Sequence, residues 1–328
     1  MEELQFSNGR KIPFVGLGTW NSAPGEVRQA IKSALEVGYR FFDCAALYGN
    51  EKEIGGGLEE GMKTLGIKRE DVVVSSKVWC TFMRPELVGQ ACRKTLSDLR
   101  LSYLDLYLVH WPVALQPGNG PFPLTSDGSA FAIDDSVLLT DTWKAMEKLV
   151  DEGLVKSIGI SNFNHRQIEK IFSNCRIKPV NLQIEVHADF PNTKLVEYAQ
   201  SKGLTVTAYA PLGSPPKSVD QPNSLCEGPN MFLCGGQRNL FTEPWVTAIA
   251  EKYNKTPAQV LLRWLVQRKI IVIPKSVRLA RMKENAQIFD FSLTPDEMRI
   301  MQTSGLNKRQ FDPIGMRAHP EYPFNDEY

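Results

Sequence analysis

No run of about 18 apolar residues occurs anywhere in this sequence, so a membrane-spanning helix is not expected. The first residues, Met1-Glu2-Glu3-Leu4-Gln5-Phe6, lack a basic segment leading into an apolar stretch, and the expected location is the cytosol. An excess of charge is missing too: 38 basic residues against 37 acidic ones leave a net +1, so no overall field draws the chain to nucleic acid or an anionic membrane. Any anion site must be local. Six cysteines are scattered without a Cys-x-x-Cys pair and are expected to be free thiols. Four histidines make no His-Glu-x-x-His cluster, so a catalytic metal is not expected, and a metal-dependent barrel hydrolase lacks its ligands. Nucleotide-binding glycine loops are also wanting. There is no Gly-x-x-x-x-Gly-Lys-Ser/Thr, Gly16-x-Gly18 is followed by Asn21 where a Rossmann fingerprint needs a third glycine, and Gly55-Gly56-Gly57 falls within a helical pattern.

What is present is an ordinary core-forming composition, 42% hydrophobic and 23% charged, which suits a folded enzyme-sized body. Short β-rich runs alternate with segments of helical spacing, the signature of parallel strands joined by helices. The strand candidates are Val15–Leu17, Tyr39–Asp43, Val72–Lys77, Leu104–His110, Ser157–Ser161, Leu182–Glu185, Thr205–Tyr209 and Ile270–Ile273. Between and after them the spacing predicts helices over Glu26–Val37, Glu51–Leu65, Pro85–Leu99, Thr140–Glu152, Asn164–Ser173, Thr193–Ser201, Pro244–Tyr253, Pro257–Gln267, Leu279–Gln287 and Pro295–Thr303. Eight such units favour an α/β fold, a (β/α)8 TIM barrel formed by residues 1–328 as one domain, with one extra helix. An Asn8-Gly9 turn ahead of the first strand predicts a tight hairpin with positive φ angles, a lid on one barrel end. Long loops rich in Pro, Gly and Ser, Val113 to Leu139 and Pro211 to Glu243, follow strands four and seven. They would emerge at the C-terminal face, where barrel enzymes keep their chemistry.

Asp43, Lys77 and His110 each end an apolar run, and in a closed barrel they share one rim with Tyr48 reaching back from the next loop. Taken singly, an Asp-Lys pair is more often a satisfied ion pair than a catalytic device. Four such residues at successive strand ends shift the balance, because burying a charged pair there without purpose is costly. Carbonyl reduction needs a hydride donor and an acid for the oxygen. Lys77 would favour the phenolate of Tyr48 and so make it a better proton donor, Asp43 would hold Lys77 charged and oriented, and His110 could place the carbonyl oxygen.

The segments Gly16-Leu17-Gly18-Thr19-Trp20, Gly38-Tyr39-Arg40-Phe41-Phe42-Asp43, Leu104 to Pro112, Gly159-Ile160-Ser161-Asn162-Phe163 and Ile273-Pro274-Lys275-Ser276 together resemble the aldo-keto reductase superfamily, most closely its aldose reductase and aldehyde reductase branch. The resemblance spans the chain. It implies an NADPH-dependent reductase of aldehydes or ketones, a monomer in this branch, with Tyr48 as general acid, Lys77 and Asp43 tuning it, and His110 orienting the substrate. It further implies that Thr19, Trp20 and Asp43 lie against the cofactor, that Ser161, Asn162 and Gln183 hold its carboxamide, and that Tyr209 stacks on the nicotinamide. Leu212 and Ser214 would contact the pyrophosphate. Lys275, Ser276, Val277 and Arg281 would surround the 2′-phosphate, and Glu284 and Asn285 would reach the adenine. A solvated basic surface is the plainer alternative for that cation cluster, since Arg278 and Lys283 lie close in sequence.

Trp20, Trp79, His110, Trp111 and Phe122 are the substrate candidates, an aromatic pocket suited to uncharged carbonyl compounds. The tail departs from the aldose reductase pattern over Gly305 to Pro313 before Tyr322-Pro323-Phe324 restores it. Relatives often close a clasp over the cofactor with a Lys just after Trp20 and an Asp just after Ser214. Here those places read Asn21 and Pro216, so the longer 213–243 loop, or nothing, would cover the cofactor and release would be faster. A rival of another class is an NADPH-binding redox sensor or structural partner protein on the same fold, against which the retained Asp43, Tyr48, Lys77 and His110 argue.

Overall fold

The computed structural model describes residues 2–118, 120–214, 232–233 and 238–328, the pair 232–233 by backbone alone. Strands run in chain order as β1 (Glu3–Gln5), β2 (Lys11–Pro13), β3 (Leu17–Gly18), β4 (Phe41–Asp43), β5 (Val73–Val78), β6 (Leu106–Val109), β7 (Ile158–Ser161), β8 (Asn181–Glu185), β9 (Thr205–Tyr209), β10 (Phe232–Leu233), β11 (Ile270–Val272) and β12 (Asp312–Pro313). Eight of them, in the order β11-β9-β8-β7-β6-β5-β4-β3, form one parallel sheet. It closes by parallel bridges from Val15 to Val272 and from Gly18 to Lys275, making the (β/α)8 barrel. The glycines at this seam are required by space. A Cβ on Gly18 would stand 2.6 Å from the Ile273 carbonyl oxygen, and one on Gly16 2.2 Å from the Phe41 ring. Their spacing therefore serves barrel closure.

The helices are α1 (Glu26–Val37), α2 (Glu51–Leu65), α3 (Pro85–Leu99), α4 (Leu139–Asp151), α5 (His165–Phe172), α6 (Thr193–Ser201), α7 (Pro244–Tyr253), α8 (Pro257–Gln267), α9 (Leu279–Ala286) and α10 (Pro295–Thr303). α1 shows why they form. Val27, Ala30, Ile31, Ala34 and Leu35 make one buried face at helical spacing, and Gly38 at φ 101° ends the helix by donating its N–H to Ala34 and Leu35 carbonyls. Each large buried side chain such as Ile31 contributes about 1.5–3 kcal/mol, so Ile31→Asp would detach this face. α5, α8 and α10 begin with reciprocal capping boxes, Asn164 with Gln167, Thr256 with Gln259 and Thr294 with Glu297. Within α2, a Cβ on Gly57 would meet the Arg28 carbonyl oxygen of α1 at 2.7 Å, and one on Gly55 the Asp98 carbonyl oxygen of α3 at 2.6 Å.

Several expected boundaries move. The first barrel strand is Leu17–Gly18 rather than Val15–Leu17, with Val15 held by an isolated bridge. Leu104–His110 shortens to Leu106–Val109, and His110 leaves the strand with its N–H on the Val78 carbonyl at 3.2 Å. In the N-terminal hairpin β1 and β2 pair as expected, but only Gly9 of the Asn8-Gly9 pair has positive φ, 85°. Phe6 donates to the Arg10 carbonyl across a three-residue turn, which needs one left-handed residue where a two-residue turn needs two. Asn8 donates to Ser157 Oγ at 2.9 Å, just ahead of β7, so the hairpin covers the N-terminal end of the barrel.

The 113–139 excursion is folded rather than loose. Antiparallel bridges join Leu115 to Ile133 and Leu124 to Phe131, and Arg84 anchors its base on Asp134 at 2.7 Å. Most of the 213–243 segment, including Pro216 and the cover inferred for the cofactor, lies outside the described residues, as do Cys226 and Cys234. Cys44, Cys80, Cys92 and Cys175 are free thiols. No helix among the described residues is long and apolar enough to cross a membrane.

Candidate active site

The strand ends at the C-terminal face converge on a cavity of about 310 Å³. In contact with Asp43 and Tyr48, which line it, Lys77, fully buried on β5, uses all three ammonium protons: it donates to Asp43 Oδ2 at 2.7 Å, to the Cys44 carbonyl at 2.9 Å and to the Tyr48 hydroxyl at 3.3 Å. Asp43, at the end of β4, accepts on its other oxygen from Ser75 Oγ at 2.9 Å and Gln183 Nε2 at 2.8 Å. Tyr48 arrives on a single 3-10 turn, Ala46–Tyr48, ended by Gly49 at φ 68°. His110, just past β6, packs edge-on against Tyr48 with ring centroids 6.0 Å apart. The four residues thus meet at one place, as barrel closure requires of neighbouring strand ends.

Electrostatics depart from expectation at the phenol. Burial raises the Tyr48 pKa and the Lys77 ammonium lowers it, and burial is the larger effect, leaving the hydroxyl pushed up to about 12. Lys77 limits the rise without reversing it. Burial works against the charge on Lys77 as well, but Asp43 and then Tyr48 outweigh it and hold the ammonium above the ordinary lysine range. His110 is driven well below the usual histidine value by burial and by Lys77, so its ring is neutral at pH 7. His319, near the tail, is lowered chiefly by burial.

A depressed histidine pKa stabilises the fold above the unfolded value of about 6.5, and that contribution is lost as pH falls toward the folded value. The denaturant midpoint should therefore fall steadily when pH drops below about 6.5. A midpoint constant between pH 7 and 5 would contradict these two shifts.

Asn162, at φ 63°, donates to the His110 carbonyl at 2.9 Å and to Ser161 Oγ at 3.2 Å, and accepts the Tyr209 hydroxyl at 2.8 Å. Thr19, Trp20, Asp43, Tyr48 and His110 line the cavity together with Ser161, Asn162, Gln183, Tyr209, Leu212 and Ser214. Lys275 and Arg281 complete its wall. Ser276, Val277, Glu284 and Asn285 do not line it. They follow on the segment and helix α9 beyond Lys275, where Ser276 Oγ caps the Arg278 N–H at 3.1 Å and Asn285 is buried.

Two of the expected substrate residues are absent from this lining. Trp79 and Phe122 do not line the cavity; they pack edge-on with centroids 5.4 Å apart behind His110, and the Trp79 indole donates to the Pro121 carbonyl at 2.6 Å. Phe122 and the Pro121 carbonyl of the 113–139 excursion pack against Trp79, which also meets His110 edge-on at 5.2 Å, while Trp111 lines the cavity. Leu47, Phe241 and Phe311 also line the cavity, and no motif in the sequence marks them. Phe241 sits on the short 3-10 turn Leu240–Thr242 and Phe311 on an irregular segment, neither long enough in regular structure to show a periodicity. Among the described residues no group of three His, Cys, Asp or Glu side chains could hold a metal ion.

A closed parallel barrel with this group at its C-terminal rim defines an oxidoreductase class, and the Aldo/keto reductase family model matches residues 15–305: the chain belongs to that family. It is 48% identical to "Aldo-keto reductase family 1 member A1" of Gallus gallus and 46% identical to the protein of that name from Homo sapiens, with 98% of this chain and 97% of each relative covered. Among solved structures, that of the aldose reductase from Schistosoma japonicum superposes with a TM-score of 0.91 at 57% identity, covering 100% of both chains.

Proposed function

We propose that this protein reduces aldehydes or ketones to alcohols with NADPH, Tyr48 serving as the general acid. The observation that carries the reading is the contact of Lys77 with both Asp43 and Tyr48, which line the same cavity as His110. When bound, NADPH supplies the hydride to the carbonyl carbon. The residues suit that group: Ser161, Asn162 and Gln183 offer donors and acceptors for a carboxamide beside the flat Tyr209 ring, and Lys275 and Arg281 offer cations for a phosphate.

As negative charge gathers on the carbonyl oxygen, the Tyr48 hydroxyl gives up its proton to it and the alcohol forms. The phenolate left behind faces the Lys77 ammonium, which stabilises it until solvent returns the proton. Asp43 keeps the ammonium aimed. Neutral His110 can offer a hydrogen bond to the same oxygen without competing as an acid.

An assay of sugars, aromatic aldehydes, lipid aldehydes, steroids and quinones with NADPH tests the reading. It predicts turnover of at least an aromatic aldehyde. Tight NADPH binding with no turnover of any of them would overturn it in favour of a sensor. The cation assignment makes a separate prediction. Losing one charge-assisted phosphate contact, about 1.5–3 kcal/mol, Arg281→Met should raise KM for NADPH at least about tenfold and change KM for NADH little. An equal loss with both cofactors would remove Arg281 from the 2′-phosphate.

A further inference from the structure

The fully buried carboxylate of Glu185 has no part in the chemistry above. It ends β8, in register beside Tyr209 of β9. Its oxygens accept two consecutive main-chain N–H groups from the C-terminal tail, Gln310 at 2.6 Å on Oε1 and Phe311 at 3.1 Å on Oε2. His187 Nε2 lies 2.8 Å from Oε1, and Arg309 Nη1 4.0 Å from Oε2. Four residues along, Asp189 extends the attachment: its carboxylate accepts the Leu306 N–H at 3.2 Å and its carbonyl the Lys308 N–H at 2.8 Å. Gly305 permits this approach, since a Cβ there would stand 1.9 Å from the Ala188 carbonyl oxygen.

A buried carboxylate is costly unless hydrogen bonds compensate it, and here two of its donors are backbone groups of the tail, outside the barrel. What they fix is Phe311. Its ring lines the cavity and meets two other aromatics of the wall, Trp20 edge-on at 5.8 Å and Tyr209 edge-on at 5.5 Å.

We propose that Glu185 is a positioning residue for substrate selection: by gripping the backbone of residues 310–311 it holds the Phe311 ring as a rigid wall against which aromatic carbonyl compounds are recognised. This rests on the reductase reading above for its catalytic consequence, but not for the anchoring itself. Glu185→Gln keeps the shape and replaces one acceptor oxygen by a donor, so one of the two tail N–H groups loses its partner whichever way the amide turns.

Hydrogen exchange of the peptide covering 306–313 should accelerate about tenfold or more in E185Q, with exchange in β5 unchanged. KM for 4-nitrobenzaldehyde should rise about tenfold, while kcat and the KM for propanal stay within about twofold. Phe311→Ala should raise the KM for the aromatic aldehyde similarly, and the double variant should do no worse than F311A alone. Unchanged exchange in E185Q, equal loss of kcat for both aldehydes, or fully additive effects in the double variant would each overturn the proposal. A wild-type protein that reduces no aldehyde would sink the reductase reading, and the exchange result would still judge the anchor. If E185Q does not fold, Glu185→Asp, which withdraws the charge by one methylene, takes its place in the same measurements.

Discussion

Tyr48→Phe is expected to lower kcat for aldehyde reduction by about 10²–10⁴ while leaving the fold and NADPH affinity almost unchanged. The substitution removes one hydroxyl and keeps the ring. Lys77 loses its 3.3 Å contact but retains Asp43 at 2.7 Å and the Cys44 carbonyl at 2.9 Å, so the buried ion pair survives. Steady-state kinetics alongside a thermal melt check this. A kcat within about threefold of wild type would remove Tyr48 from the chemistry, because loss of a general acid is felt over at least about two decades.

Lys77→Met should damage both activity and stability. With the ammonium gone, Asp43 is a buried carboxylate missing its counter-charge, and breaking such a pair typically costs about 3–5 kcal/mol, or roughly 5–10 °C in Tm for a chain of this size. Activity should fall at least about a hundredfold, because the phenolate left by proton transfer has no cation to face. Adding Asp43→Asn should return part of the stability and none of the activity, since it removes the stranded charge without restoring the ammonium. The raised Lys77 pKa fixes the pH sense of the stabilisation. It is fully present below the unfolded lysine value of about 10.4 and is lost as pH rises further through the folded value. Calorimetry of the three proteins at pH 7 and in alkali would test this; equal Tm values for wild type and K77M would contradict it.

Much of the architecture was readable because its determinants are local. The α1 pattern with its closing Gly38, and each apolar run leading to Asp43, Lys77 or His110, is contained in a short stretch of chain, so periodicity locates the helix and brings the strand ends to within about a residue. The convergence of those ends then follows from barrel closure. What was not readable depends on contacts between distant segments. Trp79 follows a strand end like a wall residue, yet the folding of the 113–139 excursion puts Phe122 and the Pro121 carbonyl over it. Phe311 belongs to an irregular tail that lies against the cavity through hydrogen bonds to Glu185 and Asp189, residues far from it in sequence. The Tyr48 pKa has the same origin. Charge neighbours can be guessed from strand order, whereas the depth of burial that outweighs Lys77 is a property of the packed molecule.

The most direct test of the central claim is a single turnover, in which NADPH-loaded protein is mixed with an excess of 4-nitrobenzaldehyde and loss of the reduced nicotinamide absorbance is followed in wild type and Tyr48→Phe. The account predicts rapid loss in the wild type and loss at least about a hundredfold slower in Y48F, with equal NADPH loading in both. Equal rates in the two proteins would contradict it.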